Sequence, residues 1–273
     1  MPPEFYICQK EIDEATLKAL PKRRRNQIAV CMHAHNELSV LNRLLAFSLN
    51  DVSEGEMHDH AQGVQMWTVM QLLAGKLCET WKMLYVRFLK SNPVEPAIAG
   101  LNDAHKEDLA WLQNYFSSKD SSLSIIRDKS AFHYDKDLDL DQAVADVSDE
   151  ERRVYLAQHP INGLYYLGSS LVFRTVFAMI ADKSGDTSNM SQIGRMQTGV
   201  KIALADLNEV NIHFSGILYG IISAALDAPE PLAEPERLLI PVIDAPKTKS
   251  VGLPMFVDID ARRPFPVAGC SDP

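Results

Sequence analysis

Eight apolar residues, Val64, Trp67, Met70, Leu73, Leu77, Trp81, Leu84 and Phe88, recur at spacings of three and four with hardly a break. Only an α-helix brings such positions onto one face, and a face this long must be buried against other helices. The helix stops near Asn92-Pro93, because proline disfavours the helical conformation of the residue before it. The same period runs through Cys31, Ala34, Leu38, Leu41 and Leu45, and again from Ile193 through Met196, Val200, Ala203, Leu207, Val210, Phe214, Ile217 and Ile221 to Ala225. Glycines 199, 216 and 220 inside the last run predict close packing or a bend. Asn102 or Asp103 is placed to cap a helix carrying Leu109, Leu112 and Phe116. Ser148-Asp149-Glu150-Glu151 has a capping-box pattern, predicting a helix that ends before His159-Pro160. No convincing alternating strand occurs in residues 1–226. The expected fold is therefore all-α, a bundle of long antiparallel helices over residues 1–226.

Composition changes beyond Leu226. Residues 227–273 hold nine of the fifteen prolines, which block regular helix. This segment reads as a proline-rich, mostly non-helical arm lying on the bundle or on a neighbouring subunit. Leu238–Ile243 and Met255–Ile259 are apolar enough to dock as short extended pieces.

Several functional classes lose support at this level. The net charge of −9 is not that of a protein that coats nucleic acid, although a local basic site is compatible with it. The four cysteines, Cys8, Cys31, Cys78 and Cys270, are scattered without a CxxC pair, which predicts neither structural zinc nor a disulfide framework. Free thiols and the lack of a basic-then-apolar leader predict a cytoplasmic protein. Residues 161–181 are long enough to span a bilayer but carry Arg174 near the middle, so they read as a buried core helix and no membrane span is expected. No phosphate-cradling glycine loop and no serine-nucleophile elbow is present, and no cofactor is expected. His33/Glu37, Glu54/His58 and Glu209/His213 are i,i+4 pairs rather than the doubled Glu-x-x-His of di-metal bundles, so no metal site is expected. His58 and His60 diverge by about 200° on a helix and would not share a metal.

Two basic or mixed segments remain. Lys22-Arg23-Arg24-Arg25 is the one dense basic run, placed near a helix start. It is either a solvated charged face or, through Arg23 and Arg24, a contact for a phosphate backbone. The more specific feature is the stretch Ile125 to Asp135, in which Arg127, Asp128 and His133 are set among apolar residues, with Tyr134 next to the histidine. Arg127, a polar neighbour and a histidine after five intervening residues, ending Ala131-Phe132-His133, resembles the motif of the HEPN superfamily (higher eukaryotes and prokaryotes nucleotide-binding). Members of that superfamily are helical bundles, and Asn commonly stands where Asp128 does here.

The resemblance implies a metal-independent endoribonuclease, or an RNA- or nucleotide-binding protein, with its site at a homodimer interface. On an unbroken helix Arg127 and His133 would be separated by about 240° and ~9 Å. They can serve one ligand only if the helix breaks between them or two copies meet about a two-fold axis. In that arrangement Arg127 holds phosphate oxygens, His133 transfers the proton, Asp128 orients either of them and Tyr134 donates to phosphate. The expected product is a 2′,3′-cyclic phosphate, and DNA is inert for want of the 2′-hydroxyl. Two other classes compete. One is a non-catalytic, homo-oligomeric interaction protein, in which an unidentified protein partner is also possible. The other is a metal-dependent helical-bundle enzyme using scattered His and Glu.

Overall fold

A computed structural model describes residues 5–9, 12, 14–49, 54–90, 96–131, 135–136, 138–225, 238–242 and 251–256. The fold is an all-α helical bundle. Among the described residues its helices are α1 (Glu14–Ala19), α2 (Lys22–Ser48), α3 (Glu56–Leu84), α4 (Pro96–Ala99), α5 (Asp103–Tyr115), α6 (Ser122–Ile126), α7 (Asp141–Ala145), α8 (Tyr166–Ser184) and α9 (Gln192–Ala225). With 29 and 34 residues, α3 and α9 are its longest members, about 44 and 51 Å at the α-helical rise.

The apolar stripes read from the sequence form the core. Trp67, Met70, Leu73, Leu77, Leu84 and Phe88 are buried against Leu38 and Leu45 of α2, Val176, Phe177 and Ile180 of α8, and Leu207, Val210, Phe214, Ile217 and Ile221 of α9. Cross-links in opposite sequence order show the helices to be antiparallel. Between α2 and α3, Gln62 donates to the Ser48 carbonyl (3.1 Å) and Lys76 pairs with Glu37 (2.6 Å), while Gln27 donates to the Arg87 carbonyl just past the end of α3 (3.0 Å). Between α5 and α9, Tyr115 donates to Asp206 (2.8 Å) and His213 contacts Asp108 (2.7 Å). The glycine expected to permit close packing does so in α9. A Cβ at Gly199 would stand 1.9 Å from the Phe177 carbonyl oxygen, so α8 and α9 can approach this closely only with glycine there.

The helix boundaries follow local chemistry. Gly55 precedes α3 with φ of 110°, a conformation costly for other residues. The Asn102 side chain accepts from the His105 amide (2.9 Å), which supplies the cap expected for α5. Past Leu84 the α3 chain widens into a π-helical turn, Tyr85–Leu89, closed by a bond from the Lys90 amide to the Tyr85 carbonyl (2.8 Å). A second π-turn, Arg127–Ala131, continues α6.

Three expectations are corrected. The first 226 residues do contain a strand, β1 (Phe5–Gln9), which pairs antiparallel with β2 (Leu238–Val242) of the proline-rich segment, Phe5 opposite Val242 and Gln9 opposite Leu238. Its partner lies more than two hundred residues away, so no local hairpin signal announces it. The capping box forms, with the Ser148 amide donating to Glu151 (3.0 Å) and the Glu151 amide to the Ser148 hydroxyl (3.3 Å), but no helix follows. The chain turns once and then extends, Tyr155 bridging to Leu164. Glu151 is instead drawn to Arg174 on α8. Finally, α8 starts at Tyr166, and Pro160–Asn162 before it is a separate short 3-10 turn. No described helix is long and apolar enough to cross a membrane.

Of the C-terminal segment, residues 251–256 lie against the α2–α3 junction. Gln65 donates to the Pro254 carbonyl (2.9 Å), and the Phe256 ring meets His58 edge to face.

Candidate functional site

The segment bearing the Arg127 motif packs along α3. Ser121 caps α6, its hydroxyl accepting from the Ser124 amide (3.4 Å), and Leu123, Ile125 and Ile126 are buried. At Arg127 the α-helix gives way to the π-turn. Bonding in a π-turn runs from i to i+5, so successive side chains fan out less per residue than on an α-helix. The turn is fastened to the core by Ser130, whose hydroxyl donates to the Ile126 carbonyl (3.0 Å) and whose carbonyl accepts from Gln71 of α3 (3.1 Å).

Arg127 is a partly exposed cation at the start of this turn. Its side chain is 24% exposed, and both Nε and one Nη reach a single Asp128 oxygen at 2.7 Å. The hydrogen bond that Arg127 donates to Asp128 raises the guanidinium pKa above its ordinary value, so Arg127 is charged at every accessible pH. Asp128 engages two of the five guanidinium N–H groups, and the other three have no acceptor among the described residues. Behind Arg127 lies Cys78 of α3. Burial pushes the Cys78 thiol up to about 11 against the pull of Arg127, which leaves it neutral and weakly nucleophilic. His133 and Tyr134, the other residues expected at this site, lie outside the described residues.

Next along the turn, Lys129 pairs with Asp135 and borders a polar cavity of about 270 Å³. The cavity is also lined by Gln142 of α7, Thr175 and Asp182 of α8, and Gln192 and Arg195 of α9. Arg195 donates to Gln192 (2.5 Å) and pairs with Asp182 (3.4 Å), while its buried Nε has no partner among the described residues.

Arg23 and Arg24 occupy the first turn of α2, as the basic run predicts. With Lys22, Asn26 and Gln27, Arg23 faces Arg87 across an open concavity of about 570 Å³. Arg87 is nine residues beyond Cys78, roughly 13 Å along the α3 axis at an α-helical rise. The structure therefore does not bring Arg23 and Arg127 together.

The paired histidines are local. His33–Glu37 (3.3 Å) and His58–Glu54 (3.7 Å) are contacts along single helices. His213 is only 4.0 Å from Glu209 but 2.7 Å from Asp108 of α5, and its ring stacks on Trp111. No group of three or more His, Cys, Asp or Glu among the described residues is arranged to hold a metal ion.

A buried ionic cluster centred on Glu151 is not visible in the sequence. Arg174 of α8, with only 5% of its side chain exposed, donates through Nε to Glu151 (2.8 Å) and through one Nη to the other carboxylate oxygen. Ser170 (2.9 Å) and the Ser148 hydroxyl (2.9 Å) and amide (3.0 Å) complete the shell. Burial pushes the Glu151 carboxyl up, but the hydrogen bonds from Arg174, Ser148 and Ser170 outweigh it and hold the group at about 2. Alongside, the His60 ring stacks on Tyr166 with centroids 3.7 Å apart and contacts the Tyr155 hydroxyl at 3.0 Å.

No protein-family model, no curated protein and no solved structure matches this chain.

Proposed function

We propose that this protein is a HEPN-like, metal-independent endoribonuclease acting as a cytoplasmic homodimer, with Arg127 and His133 as its working residues. The observation that carries the reading is the state of Arg127. It is charged, partly exposed, seated on a π-turn braced against α3, and only two of its N–H groups are engaged by Asp128. A guanidinium with an edge unengaged among the described residues matches the oxygens of a phosphodiester, and it contributes most when charge builds up in the transition state.

His133 follows six residues on. In the dimer its imidazole takes the proton from the ribose 2′-hydroxyl, and the second copy's imidazole returns one to the leaving 5′-oxygen. The 2′-oxygen forms its bond to phosphorus as the phosphorus–5′-oxygen bond breaks, giving a 2′,3′-cyclic phosphate and a 5′-hydroxyl. Tyr134 donates to the phosphate, and Arg23 and Arg24 hold a more distant stretch of RNA backbone.

The test is incubation of labelled single-stranded RNA with the full chain in excess EDTA, beside the His133→Ala variant. Chelator-resistant cleavage that ends in 2′,3′-cyclic phosphate and disappears in the variant supports the reading. Intact RNA with the unaltered chain, or cleavage that persists in the variant, overturns it.

A second reading, the non-catalytic self-associating protein, has one observation in its favour. Val154, Leu156, Ile161 and Tyr165 are all exposed within the dozen residues before α8, a local concentration of apolar side chains of the kind an interface covers. Dimerisation lost in Leu156→Glu, together with no RNA cleavage by the unaltered chain, would favour this second reading.

A further inference from the structure

The Glu151 turn, the N-terminal halves of α3 and α8 and the start of α9 line a further cavity, of about 150 Å³ and open on one side. Its wall is apolar and aromatic, formed by Met66 and Trp67 of α3, Phe173 of α8 and Met196 of α9. Trp67 and Phe173 meet edge to face at 5.4 Å. Its polar side is formed by Glu151, Tyr166, Ser169 and Ser170. It lies on a different stretch of α3 from the Arg127 turn. Trp67 and Cys78 are eleven residues apart, roughly 17 Å along the helix.

Size and charge together narrow what fits. An apolar cavity of about 150 Å³ accepts a single benzene-sized ring. The carboxylate at its edge would ordinarily select a cation, but Glu151 already accepts five donors: the Ser170 hydroxyl, the Ser148 amide and hydroxyl, and two nitrogens of Arg174. Two carboxylate oxygens offer about four lone-pair sites, so none is left over. Its charge is also paired with Arg174, whose remaining Nη is buried without a partner among the described residues but does not line the cavity. The Tyr166 and Ser169 hydroxyls are different, since neither is hydrogen-bonded among the described residues. They can donate to, or accept from, a neutral polar group.

We infer that this cavity is a binding site for a small neutral molecule built on one aromatic ring, with a single hydroxyl or carbonyl directed at Tyr166 and Ser169. The ring lies against the wall formed by Trp67, Phe173 and the two methionine side chains. The site is independent of the proposed RNA chemistry.

Gly63 provides the test. It lines this cavity, and a Cβ built on it meets nothing within 4 Å. Gly63→Leu therefore extends a side chain into the cavity from a helical position, and Gly63→Ala serves as the control. Phenol, benzylamine (protonated at neutral pH) and benzoate are titrated calorimetrically into the full chain, and phenol into both variants. The expected result is phenol binding to the unaltered chain and to Gly63→Ala. Affinity in Gly63→Leu, and for both charged probes, should be weaker by at least about tenfold, which corresponds to about 1.4 kcal/mol. Nuclear Overhauser contacts from phenol to the Trp67 indole and the Met66 and Met196 methyls of the unaltered chain give a readout that needs no variant. The inference is overturned by an unaltered chain that binds no phenol, by a folded Gly63→Leu that binds it unchanged, by equal affinity for a charged probe, or by absence of those Overhauser contacts.

Discussion

Arg174 and Arg127 stand on the same bundle and each pairs with a carboxylate, yet their surroundings differ sharply. Arg174 is sunk between α8 and the 148–151 turn, and its carboxylate partner is ringed by serine hydroxyls and an amide. Arg127 sits at the surface beside Asp128, whose side chain is 52% exposed. Removing one member of a buried pair strands a charge and costs several kcal/mol, whereas an exposed pair is worth about 1 kcal/mol or less. The comparison teaches that the two pairs differ in what surrounds them: Arg174 and Glu151 share a buried shell of hydrogen bonds, with one Arg174 Nη left unpartnered among the described residues, whereas Arg127 and Asp128 hold each other at the surface.

The sharpest way to break the comparison is to truncate both. Arg127→Ala is expected to lower RNA cleavage by about 10²–10³-fold, the scale of losing a transition-state charge stabiliser. Its urea midpoint should stay nearly unchanged, as is usual for surface substitutions. Arg174→Ala should do the reverse, lowering unfolding free energy by about 3 kcal/mol, near the low end for a broken buried pair because solvent still reaches part of Glu151. Large stability losses in both variants, or in neither, would break the contrast.

Acid titration sharpens it next. The Glu151 pKa is depressed, from an ordinary value of 4.5 to about 2 in the folded state. A lowered folded-state pKa contributes stability that is full above the unfolded value and fades as pH falls through the folded one. Stability measured by denaturant melts should therefore decline between about pH 4.5 and pH 2 on account of this group. That part of the decline should vanish in Glu151→Gln and persist in Asp128→Asn.

Smaller effects are expected at the exposed site. Asp128→Asn removes the negative charge beside the phosphate position and should tighten RNA binding a few-fold, by about 0.2–1 kcal/mol, the usual worth of an exposed ion pair. Smallest of all, Arg23→Ala and Arg24→Ala should each reduce the salt dependence of single-strand binding by about 0.7 in the logarithmic slope. Cleavage of a short oligonucleotide that cannot span both sites should be untouched.

What could be read from the sequence differs between these regions for physical reasons. Long helices announce themselves because a buried face repeats every three or four residues, and α2, α3 and α9 lie where those repeats fall. The Asn102 cap was equally legible, since its hydrogen bond reaches only three residues. The Ser148–Glu151 box was legible as a bond but not in its consequence. Glu151 has a second attachment 23 residues away on α8, and nothing local encodes it. The β1–β2 ladder and the aromatic cavity escaped for the same reason, being assembled from segments far apart in the chain. Arg127 and Asp128 stand out in the sequence only by their pattern with His133. The π-turn that carries them does not, because a switch from i+4 to i+5 bonding leaves no pattern in hydrophobic spacing.

The most direct measurement of whether Arg127 is held in readiness for a phosphate is RNA affinity in a background unable to cleave. Fluorescence anisotropy of labelled single-stranded RNA is followed with His133→Ala and with the His133→Ala, Arg127→Ala double variant at one fixed salt concentration. Binding at least about tenfold weaker in the double variant, a difference of about 1.4 kcal/mol, is the predicted result. Equal affinity of the two proteins would contradict it.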